Sequence, residues 1–131
     1  MSDQFSDSWM QSFMQAWNNE PKLADELKKI DFNSVIGYGI DGEDQPRGFI
    51  TVENGEAVNA GSYASEALNW DIRASEKQWE AWRKKPPGMM GLGAAYTTRK
   101  IKFLTGDYMA MVKDPRMAKP FIKSFEVMAR V

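Results

Sequence analysis

The sequence of 131 residues contains no cysteine and no histidine. Without cysteine it forms no disulfide and offers no thiol nucleophile or thiolate metal ligand. Without histidine it lacks the commonest general base and the commonest transition-metal ligand, which excludes Ser-His-Asp and Cys-His catalysis. No carboxylate pair stands at a convincing catalytic spacing. We therefore predict a protein that is not an enzyme and that holds neither a metal nor a cofactor.

Long apolar segments are also missing. No run of about 18 apolar residues occurs, so no segment is expected to span a membrane. The first ten residues, MSDQFSDSWM, lack the basic start and apolar centre of a secretion signal, which predicts a cytoplasmic protein. Neither an internal repeat nor a flexible linker is present, and residues 1–131 are predicted to form a single domain.

The charges are distributed unevenly along the chain. Residues 1–74 hold five basic and 13 acidic side chains, whereas residues 75–131 hold 12 basic and five acidic ones. Two interpretations stay open. Either the two parts fold together and neutralise each other, or the second part presents a basic face to an anionic headgroup or a membrane surface.

Apolar periodicity divides the chain into three parts. Residues 1–31 predict a pair of N-terminal helices, because Trp9, Met10, Phe13, Met14 and Trp17 recur at helical spacing. Residues 32–74 predict a meander of four strands, with a type I′ turn at Asn54-Gly55. Residues 75–131 predict helices, a fifth strand in KIKFL, and C-terminal helices divided at Pro120. The sum is an α+β fold with a mostly antiparallel sheet covered on one face.

The strand ALNWDIRAS alternates between apolar and polar residues. This alternation predicts that Asp71 and Arg73 point to solvent as an exposed ion pair, and the alternative is that they orient a polar group of a substrate. The exposed aromatic and basic side chains that a nucleic-acid surface needs are not interleaved on this face, so no nucleic-acid partner is expected.

Methionine is concentrated near a glycine-rich segment. Six of the nine methionines follow residue 88, and the segment GMMGLG contains two of them. This segment lacks the preceding strand and the Gly-Lys-Ser/Thr ending of a phosphate-binding loop. Its methionines either fill an ordinary core or form a deformable wall that accommodates varied apolar ligands.

The segment LNWDIRASEKQWEAWRKK, followed by GMMGLGAAYTTRKIKFLTGDYMAMVKD, resembles the sterol carrier protein 2 (SCP2) family. The resemblance is carried by Asp71 to Ser75, by Trp79 in the next helix, and by the basic strand and turn from Arg99 to Asp107. One departure is Thr97-Thr98-Arg99, where the family usually has a glycine before this strand. The ending MARV lacks a peroxisomal signal, which favours a bacterial-type stand-alone member.

The resemblance implies a five-stranded sheet with helices over one face, enclosing an apolar tunnel. The tunnel would bind a hydrophobic lipid, such as a fatty acid, an acyl-CoA, a sterol-like molecule or an isoprenoid, without converting it. The residues expected to bind the ligand are Trp70, Trp82, Met89, Met90, Leu92, Ala95, Tyr96, Met109, Phe121 and Phe125. Those expected near a headgroup or a membrane surface are Lys84, Lys85, Arg99, Lys100 and Lys102. The alternative is an accessory or dimerisation domain whose Met-rich surface docks a partner enzyme or a second copy of the chain.

Overall fold

The structure is a computed structural model that describes residues 4–131. In this range the chain forms six helices and five strands. The helices are α1 (Asp7–Asn18), α2 (Ala24–Lys28), α3 (Glu76–Lys84), α4 (Met89–Thr97), α5 (Tyr108–Val112) and α6 (Pro115–Met128). The strands are β1 (Ser34–Ile40), β2 (Gly48–Glu53), β3 (Glu56–Ser62), β4 (Trp70–Ala74) and β5 (Ile101–Thr105).

The five strands form one mixed sheet in the order β3-β2-β1-β4-β5. Three neighbouring pairs are antiparallel, and β1 and β4 are parallel. The predicted α+β class with a five-stranded, mostly antiparallel sheet is therefore confirmed. The predicted four-strand meander is wrong at its last connection, because residues 63–69 cross back and place β4 on the far side of β1. Alternation within a strand identifies its buried face but not its neighbours.

A helix cap and a tight turn in the structure are each formed by residues that are close together in the sequence. Ser75 Oγ accepts a hydrogen bond from the backbone N–H of Gln78 at 3.0 Å, which caps α3. Asn54 and Gly55 have φ values of 51° and 81°, as the predicted type I′ turn requires. A Cβ on Gly55 would lie 2.4 Å from the backbone nitrogen of Lys28, so this turn packs directly against α2.

The main core lies between the sheet and a helical layer. Helix α1 packs on β2 and β3, α2 packs on β3, and α6 packs against α1, α2, α3 and α5. The predicted N-terminal stripe is largely buried here, with Phe13 and Met10 fully enclosed.

Helix α6 runs without interruption through Pro120, so the prediction that Pro120 divides it is wrong. Ala118 and Phe125 are buried on the two sides of Pro120. Their packing outweighs the one backbone hydrogen bond that a proline removes.

The other face of the sheet is closed at its centre. The side chains of Arg73 and Asp71 are only 2% and 11% exposed, with Arg73 Nε 2.6 Å from Asp71 Oδ1. Arg73 Nη1 also donates to the carbonyl oxygen of Glu43 at 2.7 Å, and Pro46 packs against Gly39. The predicted exposed ion pair is therefore wrong, because the loop of residues 41–47 folds over this part of the sheet and buries the pair.

Candidate functional site

An apolar cavity of about 40 Å³ lies between the helical layer and the sheet. It is bordered by α1, α2, α5 and α6 on the helical side and by β1 and β4 on the sheet side. Its lining residues are Trp17, Leu23, Leu27, Phe32, Ile36, Tyr38, Trp70, Ile72, Met111, Met117, Pro120, Phe121 and Ser124.

The floor of the cavity follows from strand register. Ile36 and Tyr38 are two residues apart on β1 and therefore point to the same side of the sheet. The parallel pairing places Trp70 beside Ile36 and Ile72 beside Tyr38. These four side chains form a continuous apolar floor at the junction of β1 and β4.

The roof of the cavity follows from helical periodicity. Met117, Phe121 and Ser124 stand at i, i+4 and i+7 on α6, so they share one face of the helix. Met111 on α5 completes this wall. Methionine side chains are flexible and polarisable, which allows them to fill irregular space at low cost.

The polar groups around the cavity either form hydrogen bonds within the protein or stay uncharged. Ser124 Oγ donates to the carbonyl oxygen of Phe121, and Trp17 Nε1 donates to the carbonyl oxygen of Gly55 at 3.0 Å. Burial raises the pKa of the Tyr38 phenol, which therefore stays neutral. The cavity therefore presents an apolar surface, which favours binding of an apolar group.

The cavity is small in this structure. An engineered cavity of about 150 Å³ in another protein holds a benzene molecule, whereas about 30 Å³ is the share of one water in the liquid. A volume of about 40 Å³ does not hold a lipid chain. The structure therefore shows a small apolar cavity and does not show the tunnel that the family resemblance implies.

An open groove of about 560 Å³ lies beside the cavity. It is lined by Ile30, Asp31, Phe32, Asn33, Ser34, Asn69, Trp70, Asp114, Arg116 and Met117. Phe32, Trp70 and Met117 line both the groove and the cavity. These three half-buried side chains border both the solvent-exposed groove and the apolar cavity.

The structure brings only part of the predicted ligand set to this cavity. Trp70 and Phe121 line it. Phe125 is buried next to Phe121, with ring centroids 5.2 Å apart. The other buried or half-buried members, Trp82, Leu92, Ala95 and Tyr96, lie in adjoining parts of the core, where Tyr96 stacks on Tyr108 at 4.3 Å.

Three predicted wall residues lie at the surface in this structure. Met89, Met90 and Met109 are 41%, 89% and 49% exposed. Gly88, Gly91 and Gly93 flank the first two in sequence. The role of these three methionines in binding a ligand stays a prediction, and it requires a conformation in which α4 moves towards the interior.

The five predicted headgroup cations do not line the cavity or the groove. Lys84 pairs with Glu80, and Lys102 pairs with Asp41 at 3.0 Å. The other three, Lys85, Arg99 and Lys100, are exposed. The basic side chain at the groove is instead Arg116, which the sequence did not single out.

Several cavity residues escaped the sequence-based prediction, above all Ile36, Tyr38 and Ile72. Their signal was the alternation of apolar residues in SVIGYGI and WDIRA, which indicated a buried face without indicating what lay above it. Met111 and Met117 were also recognised as apolar, but sequence periodicity did not distinguish them from the exposed Met109.

The order of the five strands and the helical layer on one face define an SCP2-like fold. A crystal structure of sterol carrier protein 2 matches 98% of this chain and 99% of its own chain, with a TM-score of 0.75 and 14% identity. A conserved hypothetical protein from Thermus thermophilus, described as a possible sterol carrier protein, matches 95% of this chain and 90% of its own, with a TM-score of 0.65 and 14% identity. The ubiquinone synthesis protein UbiJ-SCP2 matches 95% and 88%, with a TM-score of 0.58 and 10% identity.

At these identities the likeness establishes the fold. No protein-family model and no curated protein matches the sequence. Between residues 4 and 131, no helix has both the length and the apolar character needed to cross a membrane. The same residues contain no cluster of three or more acidic side chains arranged to hold a metal ion.

Proposed function

We propose that the protein binds a hydrophobic small molecule between its helical layer and its sheet, and carries or presents this molecule without converting it. The candidate ligands are lipids, such as a fatty acid, an acyl-CoA, a sterol-like molecule or an isoprenoid. The observation that carries the proposal is the small apolar cavity beside an open groove, with Phe32, Trp70 and Met117 lining both.

Burial of an alkyl chain supplies free energy that exceeds the low end of the association cost but not its high end. Each methylene removed from water contributes about 0.8 kcal/mol, so ten carbons contribute roughly 8 kcal/mol. Association costs about 4–15 kcal/mol, depending on how much the partners lose in freedom. We therefore expect the ligand to carry an alkyl chain of at least about ten carbons.

The cavity must enlarge to accept such a chain. Met111 and Met117 border it, and changes of their rotamers, together with a small shift of α6, would create space without exposing polar backbone. The ligand would then replace protein contacts that are lost when α6 moves. The similarity to sterol carrier protein 2 and to a ubiquinone synthesis protein supports a lipid-like ligand at the level of the fold.

The test is native mass spectrometry of the purified protein, followed by lipid extraction of any bound species. Two matched substitutions locate the site. Met117→Asp places a charge at the cavity and should abolish the adduct, whereas Met90→Asp changes a side chain that is 89% exposed and should retain it. Circular dichroism confirms that both variants are folded.

The opposite pattern would contradict this location. If Met90→Asp loses the adduct and Met117→Asp retains it, the ligand binds against α4, as the sequence-based prediction proposed. A wild-type protein that carries no adduct, and takes up no lipid of ten to eighteen carbons, would contradict the lipid-binding proposal itself.

A second candidate function is an accessory domain that docks a partner enzyme or a second copy of the chain. It is favoured by the apolar side chains that the surface exposes on α4, β5 and α5, namely Met89, Met90, Leu104 and Met109. Analytical ultracentrifugation and co-purification test it. A stable complex that Met90→Asp dissociates, together with a protein free of lipid, would favour this function over lipid binding.

A further inference from the structure

Helix α4 presents an uncharged and mostly apolar side to solvent. Leu92 and Ala95 are buried on one side of the helix, whereas Met90 and Ala94 are exposed on the other. A surface helix normally places charged side chains opposite its buried stripe, and a helix that is apolar on all sides is normally buried in protein or in lipid. Helix α4 therefore has the composition of a buried helix in an exposed position.

The hydroxyl groups of α4 are satisfied by the helix itself. Thr97 Oγ1 donates to the carbonyl oxygen of Gly93 at 3.0 Å, and Thr98 Oγ1 donates to the carbonyl oxygen of Ala94 at 2.8 Å. A hydroxyl that donates one turn back along its own helix needs no acceptor from outside, which is how serine and threonine are accommodated in lipid. The exposed side of α4 therefore offers mainly apolar contacts.

The chain at both ends of α4 is basic. Residues 81–106 contain six basic and no acidic side chains. Three of the six, Lys85, Arg99 and Lys100, are exposed and form no ion pair within the part of the chain that the structure describes. The nine residues of α4 rise by about 14 Å, so cations stand at both ends of a short apolar surface. This arrangement is complementary to an anionic surface that has an apolar interior.

The charges and the shortage of polar contacts decide which occupant fits this surface. In a symmetric contact between two copies of the chain, the cations at α4 would face each other and repel. A protein partner is normally held by about one hydrogen bond per 100–200 Å², and the exposed side of α4 provides little for such bonds. A bilayer with anionic lipids meets both requirements, because its headgroups attract the cations and its acyl region accepts apolar side chains.

We infer that α4, together with Lys85, Arg99 and Lys100, is a membrane-docking surface that lies in the interface of a bilayer containing anionic lipids. Met90 points towards the acyl chains in this orientation, and the long basic side chains extend to the headgroups. The inference goes beyond the proposed function, since it concerns the surface on which the protein works. Binding to vesicles also needs no ligand in the cavity.

Sedimentation with vesicles tests the role of charge. The wild-type protein should sediment with vesicles of phosphatidylglycerol and phosphatidylcholine, and should stay in solution with vesicles of phosphatidylcholine alone. Lys85→Gln with Lys100→Gln should weaken binding at least about tenfold, since each cation near an anionic surface contributes about fivefold. Lys22→Gln with Lys28→Gln is the matched control, because it removes the same charge from two exposed lysines at α2. It should leave binding unchanged.

The absence of cysteine allows a test of insertion at a single site. Met90→Cys labelled with a nitrobenzoxadiazole fluorophore should give brighter and blue-shifted emission on anionic vesicles. Val58→Cys is the matched control, because Val58 is 46% exposed on β3, at the sheet edge opposite β5. Its label should stay in water. Met90→Asp should weaken vesicle binding at least about tenfold, as expected when one apolar side chain is no longer buried.

Equal binding to both types of vesicle, equal effects of the two lysine pairs, or an unshifted Met90→Cys label on bound vesicles would each overturn the inference. Failure of the wild-type protein to bind any vesicle would also overturn it. That failure leaves the proposed function intact, because a bound lipid is detected independently by mass spectrometry. A stable complex with an acidic protein, dissociated by Lys85→Gln with Lys100→Gln in a protein that binds no vesicle, would assign the surface to that partner instead.

Discussion

The buried ion pair on the face of the sheet opposite the helices makes a sharp prediction. Arg73 is 1% exposed as a residue, and its guanidinium binds both oxygens of Asp71 at 2.6 Å and 3.1 Å. It also donates to the carbonyl oxygens of Ile40 and Glu43 at 3.3 Å and 2.7 Å. Arg73→Met retains most of the apolar stem but removes the donor to a buried carboxylate and to the Glu43 carbonyl group, whereas the Ile40 carbonyl still accepts from the backbone N–H of Glu43.

The expected loss is large. Removal of one partner from a buried ion pair costs about 3–5 kcal/mol, compared with a total stability of about 5–15 kcal/mol for a domain of this size. With a urea dependence of about 1.5–2 kcal/mol/M, the midpoint should fall by about 2 M. Replacement of both partners, in Asp71→Leu with Arg73→Met, should recover at least about half of the loss, because no charge is then buried alone.

Arg47→Met provides the control. The Arg47 side chain is 40% exposed and pairs with Glu43 and Glu76 at the surface, so its loss should cost under about 1 kcal/mol. Urea unfolding followed by circular dichroism measures all four proteins. If Arg73→Met costs no more than Arg47→Met, the pair is exposed in solution, as alternation in the sequence suggested, and the loop over it is open.

Three further perturbations test the packing and the electrostatics. Gly106→Ala should destabilise the protein by about 2 kcal/mol or more in urea unfolding. The reason is that Gly106 has a φ of 105° and that a Cβ there would lie 2.2 Å from Trp70 Cε3. A stability equal to that of the wild type would contradict this contact. Arg130 lowers the pKa of the Glu20 carboxyl, so this group stabilises the fold above its usual pKa near 4.5 and loses that contribution as pH falls through its lowered value. Glu20→Gln should therefore cost up to about 1 kcal/mol at pH 7 and progressively less below pH 4.5, and a cost that is constant with pH would refute the assignment. Burial raises the pKa of Tyr38, so wild-type stability should fall above pH 10 by up to about 1.4 kcal/mol per pH unit. The stability of Tyr38→Phe should lack this component. Parallel stability curves of the two proteins would show that Tyr38 ionises freely in the fold.

Much of the fold was predictable because the signals are local. The stripe from Trp9 to Trp17 identified α1, and Asn54-Gly55 identified the β2-β3 hairpin. Ser75 caps the start of α3 by accepting a hydrogen bond from the backbone N–H of Gln78, three residues on. Each of these features is decided by residues close together in sequence, where propensity, turn geometry and capping act directly.

The remaining features depend on contacts between distant segments. Alternation placed Asp71 and Arg73 on the polar side of β4 correctly, but it contained no information about the loop of residues 41–47 that covers them. The parallel pairing of β4 with β1 depends on which strand edge is free after β1–β3 have paired. The alternation of apolar residues within β4 does not identify the neighbouring strand.

The candidate site shows the same limit. Trp70 and Phe121 were predicted to bind the ligand, and both line the cavity. Met90 had equal apolar character but stands at the surface of α4, because nothing in the fold packs over that turn. The apolar nature of a residue was therefore evident from the sequence, whereas its distance from the cavity was not.

The most direct test of the central claim is NMR of protein labelled with ¹³C at the methionine methyl groups, titrated with 1-dodecanol. Met111 and Met117 line the cavity, and Met90 is 89% exposed. If the space between α6 and the sheet binds the alkyl chain, the signals of Met111 and Met117 should shift and saturate at one ligand per chain, while the signal of Met90 stays in place. Shifts confined to Met90 and its neighbours on α4, or the absence of any saturable shift, would contradict binding in the cavity.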